Sequence, residues 1–219
     1  MRTKTLLMAG AALAFSLATS QAQVYSANIV GYVNYVSTTV SPNFEMIDNP
    51  LDNGASNTLA TLFPSLPGGT IVEVWGGTSF TPYTYTKLGH WGANAKVEIP
   101  PGQGFFISVG SGIVTNTFVG SVVPAVGLQG TNVIGTGFQA VSSMVPYAGS
   151  VSNTAAINLV VPGGTIVETW NAGSQTFTPY TFVGLSHKWT PSDLVISVGQ
   201  GFFIENNSGS PINWVQTGP

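Results

Sequence analysis

The sequence predicts an all-β protein of two tandem antiparallel modules, each a small sandwich or barrel with a short helical turn. Three observations point there. Gly (27) and Pro (14) interrupt the 219-residue chain often and without a collagen period, leaving short β-branched and aromatic runs between turns. Only 6% of residues are charged while 43% are hydrophobic, which excludes a disordered chain. A set of strings also recurs in order: PGGTIVEVW at 67–75 and PGGTIVETW at 162–170, FTPYT at 80–84 and 177–181, GQGFFI at 102–107 and 199–204. Trp91 and Trp189 follow at similar distances, and TNTFVG at 115–120 answers INWVQTG at 212–218, with offsets between 94 and 98 residues. A fixed period of this kind reports architecture before any local structure.

The amino terminus reads as an export signal. Arg2 and Lys4 precede an uncharged run from Leu6 to Ala18, too short to span a bilayer, and Ser20 and Ala22 stand at the spacing a signal peptidase reads. The expected division is a signal peptide over 1–22, a first β module over 23–123 and a second over 124–219, with VVPAVG at the junction. The first module offers strands at Tyr32–Val36, Phe44–Ile47, Ile71–Trp75, Tyr83–Leu88, Gly104–Val109 and Val114–Val119, too closely spaced for crossover helices. In NTLATLFP, Asn57 is the expected cap, Leu59, Leu62 and Phe63 share a face, and Pro64 ends the turn. Asn153 begins a poorer counterpart.

Charge and composition exclude several functions. Cleavage after Ala22 leaves three lysines and no arginine against eight acids, 3 − 8 = −5, too little positive charge for nucleic acid or an anionic membrane surface. No further stretch is long and apolar enough for a transmembrane anchor. The absence of Cys removes disulfides, thiolate metal sites and cysteine nucleophiles.

Motifs for chemistry are weak. GQGFFI lacks the third glycine and the following helix of a dinucleotide fingerprint, so tight turns feeding strands explain it better. The Gly68–Gly69 and Gly163–Gly164 pairs lack the Lys-Ser/Thr of a phosphate loop, and no Gly-x-Ser-x-Gly elbow occurs. His90 and His187 stand one per module without orienting partners. Glu73 and Glu168 are the only acids in matched strings; a carboxylate pair would suit glycoside hydrolysis, and a solvated strand face is the plainer account. Asp48, Asp52 and Asn53 make an oxygen-rich loop, yet miss the alternating spacing of a calcium loop. The sequence therefore predicts no enzyme, no catalytic residue, no metal site and no cofactor.

Aromatic residues carry the best binding hypothesis. Trp75, Tyr83 and Trp91, echoed by Trp170, Tyr180 and Trp189, with Tyr85 and Phe182 beside them, are candidate platforms for sugar rings; core packing is the competing use of each. The functional expectation is a secreted structural or interaction protein of the cell envelope or extracellular matrix. Scarce lysine leaves strand edges unprotected and favours self-association or docking on an envelope component. The alternative is a carbohydrate-binding module that takes a glycan on those aromatics. Taken jointly, IVGYVN at 29–34, NPL at 49–51, GTIVEVW, PPGQGFFI and TNTFVG resemble a group of secreted bacterial two-repeat β proteins without assigned function. That resemblance spans nearly the whole mature chain and implies export only.

Overall fold

The computed structural model describes residues 30–219 except Ala55, so the expected signal peptide lies outside the described residues. The chain is all-β, and among the described residues every pairing between named strands is antiparallel. In the first half, β1 (Val30–Ser37), β7 (Val114–Val122) and β3 (Leu51–Asp52) form one sheet in the order β1-β7-β3. A second sheet has the order β2-β6-β4-β5, from β2 (Glu45–Ile47), β6 (Phe105–Ser108), β4 (Ile71–Trp75) and β5 (Phe80–Thr84).

The second half repeats the scheme with variations. β8 (Gln129–Ile134) pairs with β16 (Ile212–Thr217), as β1 pairs with β7. A five-stranded sheet takes the order β13-β12-β11-β15-β9, from β9 (Gly137–Val141), β11 (Ile166–Asn171), β12 (Thr176–Val183), β13 (Lys188–Thr190) and β15 (Phe202–Asn206). β10 (Gly149–Ser150) and β14 (Val195–Ile196) form a short ribbon. Among the described residues the sheets pack as sandwiches and none closes into a barrel.

Period-2 alternation sets the cores. Along β7, Val114, Asn116, Phe118, Gly120 and Val122 turn inward while the residues between them face out. One cluster gathers Leu59, Phe63, Val72, Trp91, Phe105 and Phe118, and another gathers Val167, Trp189, Phe202, Ile204 and Trp214.

Three local expectations need correction. The strand expected at Tyr83–Leu88 lies instead over FTPYT as β5, because Pro82 sits on a sheet edge where its missing N–H has no ladder partner to disappoint. The helix α1 (Leu59–Leu62) is capped by Thr58 in a reciprocal capping box with Thr61, not by Asn57. The Asn57 side chain turns inward to Leu51 O (2.7 Å) and accepts from Asn53 N (3.0 Å). Around Asn153 the chain makes a run of turns in place of a helix, with the Asn153 side chain accepting from Ala155 N at 3.0 Å.

Candidate functional site

The site is a seam of aromatic rings where two sheets meet face to face. On β4, Val72 and Val74 point into the first core, which puts Glu73 and Trp75 on the opposite face. Across the ladder Glu73 lies opposite Pro82 and Phe106, and Trp75 opposite Phe80. The second half reproduces this register: Glu168 opposite Pro179 and Phe203, Trp170 opposite Phe177. Met46, Phe106, Ala140 and Phe203 are buried where the two faces meet.

The two tryptophans change sides. Trp75 packs edge-to-face on Phe203 (5.4 Å between centroids) and donates from Nε1 to Phe138 O at 3.0 Å. Trp170 packs on Phe106 (5.1 Å) and donates to Phe44 O at 2.8 Å. Phe80 bridges Phe106 and Phe203 at 5.3 and 5.8 Å, and Phe177 bridges the same two rings from the other side at 6.3 and 5.6 Å. Each such pair adds about 0.5–1.5 kcal/mol beyond its burial. The indoles thus bind each half to backbone of the other.

The backbones also exchange hydrogen bonds. Asp48 N donates to Gly199 O (2.9 Å) and Ser142 N to Gly102 O (3.0 Å), so the end of β2 and the end of β9 each meet the other half's GQG turn. The second glycine of each motif makes this approach possible. A Cβ on Gly104 would lie 2.8 Å from Val141 O and 3.3 Å from the Gly201 Cα, and one on Gly201 would lie 2.7 Å from Ile47 O.

Electrostatics along the seam are acidic and poorly compensated. Burial pushes the Asp48 carboxyl well above its ordinary range; the Ser142 hydroxyl beside it offsets part of that effect without closing a hydrogen bond of normal geometry, and Asp48 Oδ1 has no partner among the described residues. Partial desolvation raises Glu73, and desolvation with the neighbouring Glu205 charge raises Glu168. At the margin, Glu45 accepts from the Tyr35 and Thr39 hydroxyls, while burial and that carboxylate hold the Tyr35 proton more tightly.

The six candidate aromatics divide among three clusters. Trp75 and Trp170 join the seam, Tyr83 and Trp91 the first core, Tyr180 and Trp189 the second. Trp91 and Trp189 are 4% and 5% exposed. Trp91 Nε1 donates to Phe63 O at 3.0 Å, whereas Trp189 Nε1 is buried without a partner among the described residues. His90 and His187 are exposed. In the oxygen-rich loop Asp52 accepts from Gly54 N and Asn53 from Ser56 N. Among the described residues no three of His, Cys, Asp and Glu gather as a metal site would need.

Sequence reasoning passed over Phe44, Phe80, Phe106, Phe177, Phe203 and Gln175. The signal was present for four of them, since Phe80 and Phe177 open the FTPYT strings and Phe106 and Phe203 sit in GQGFFI. Gln175 carries no such signal, having Thr78 at the matched position. Comparison with known proteins adds no relative: no protein-family model, no curated protein and no solved structure matches the chain.

Proposed function

We propose that the protein is a secreted, non-enzymatic structural or interaction protein of the cell envelope or extracellular matrix, and that it works by pairing copies through strand edges. The observation that carries this reading is β1. Its eight residues, VGYVNYVS, hold no charge, and β1 pairs on one side only, with β7, among the described residues. Its outer face presents Val30 (70% exposed) and Tyr32 (72%), and Val119 opposite Tyr32 is 57% exposed. An uncharged, apolar edge is what monomeric β proteins avoid, because it offers a ladder of unpaired N–H and C=O groups to another strand. β8 presents a second such edge, with Val133 exposed.

Light scattering over a dilution series tests the reading. Mass should rise with concentration for the mature protein and stay at the monomer for Tyr32→Lys. A strictly monomeric protein retained by polysaccharide would overturn it in favour of carbohydrate binding. Export is tested by intact mass, with a chain beginning at Gln23 expected and retention of Met1 to Ala22 contradicting it.

A further inference from the structure

One side of the seam opens into a groove of about 200 Å³. Phe44, Phe80 and Phe106 line it from the first half, Trp170 and Phe177 from the second. The acidic group in that lining is Glu73, whose carboxylate makes no hydrogen bond or ion pair with any described residue. Gln175 completes the rim, and its amide is already committed: Oε1 accepts from Phe44 N (2.8 Å), and Nε2 donates to Phe44 O (2.9 Å) and Ala172 O (2.6 Å). Phe44 O also takes the Trp170 indole N–H. The rim is therefore fixed, and the free acceptors at the groove belong to Glu73.

We propose that this groove is a binding site for an alkylated ammonium group, which the aromatic rings and the Glu73 carboxylate hold together. Aromatic faces attract a cation through the ring quadrupole, most strongly where water is displaced, and the methyl groups of such a cation tolerate an apolar lining that would strip an ordinary ammonium of its hydration. A neutral apolar ligand would leave the carboxylate desolvated and unpaired; an anion would be repelled by it. Partial desolvation already raises the Glu73 proton affinity, a penalty that an adjacent cation relieves. A fixed rim lowers the ordering that binding requires. The matched side of the seam differs, since Thr78 replaces the bracing amide and Glu205 stands beside Glu168.

The test is a titration of the mature protein with choline, with its uncharged isostere 3,3-dimethylbutan-1-ol, and with a peptide carrying trimethyl-lysine, followed by the ring-current shift of the N-methyl or tert-butyl protons. Saturable upfield shifts are expected for choline and the peptide. The neutral isostere should bind about tenfold more weakly than choline, and Glu73→Gln should weaken choline about tenfold while Glu168→Gln leaves it unchanged. Tighter binding of the peptide than of choline assigns the group to a protein segment; equal binding assigns it to a free small molecule. Equal binding of choline and the isostere to the wild-type protein would overturn the proposal, as would no saturable shift with either cation or a Glu73→Gln variant of native fold that binds choline unchanged.

Discussion

The two halves share their backbone register and differ in the polar groups hung on it. Paired with β6 and β15, β4 and β11 carry the same Glu and Trp in the same order, and both tryptophans reach across to a backbone carbonyl. Yet Asp48 in one half answers Ser142 in the other, Trp91 has a hydrogen bond where Trp189 has none, and Glu205 stands beside Glu168 where the register puts Ser108 two places from Glu73. Besides the strand Glu and the crossed indole hydrogen bonds, the shared features are apolar contacts and close backbone approaches that two packed sheets need. The differing ones are polar groups that the fold tolerates in more than one form.

The largest effect should come from the shared close approach. Gly104→Val places side-chain atoms against the Val141 carbonyl and the Gly201 backbone, neither of which can move without parting the halves, and is expected to abolish a cooperative thermal transition. A native-like melting curve would show that the halves do not depend on that contact. Next are the paired core indoles. Trp91→Ala and Trp189→Ala should each lower stability by about 3–5 kcal/mol through cavity formation. Trp91→Phe should be worse than Trp189→Phe by about 1 kcal/mol, because only the former leaves a hydrogen-bonded carbonyl, Phe63 O, unpaired. Denaturant midpoints of the two Phe variants decide this.

Asp48 gives a pH test of the difference between halves. Its folded carboxyl holds the proton above the ordinary value of 3.8, so between the unfolded and the raised folded value the folded state binds more protons than the unfolded chain. Stability contributed by this site must fall as pH rises through that window and stay low above it. Asp48→Asn should remove the decline and raise the melting temperature at neutral pH; an unchanged pH profile would show Asp48 to be solvated or paired. Smallest of all, Glu205→Gln should ease Glu168 alone and leave Glu73 titrating as before, checked by carboxyl NMR titration of both.

Much of this was legible in the sequence, and the remainder for identifiable reasons. Strand-forming IVEVW and IVETW became β4 and β11, since alternation with β-branched residues states both the strand and its two faces. GQGFFI signals a tight turn, and the φ of +90° at Gly102 agrees; Gly104, two residues on, answers to a contact from a chain segment some 37 residues away, Val141, which no local pattern encodes. Aromatics were legible as pairs but not as places. Trp75 and Trp91 look alike in sequence, yet Trp75 reaches the seam because its face of β4 meets the other half, whereas Trp91 lies outside the strands, at the start of a 3-10 turn that packs on the first core. Thr58 displaced Asn57 as the cap because Asn57 was claimed by Leu51 O, a tertiary demand that overrode local preference.

The central claim is that the exchanged tryptophans make the two halves one cooperative body. Equilibrium urea unfolding, followed in parallel by tryptophan fluorescence and by far-ultraviolet circular dichroism, tests it most directly. Coincident single transitions are expected for the wild-type chain, with Trp75→Ala and Trp170→Ala each separating it into two. Two transitions in the wild-type protein, or coincident curves in both variants at an unchanged midpoint, would contradict it.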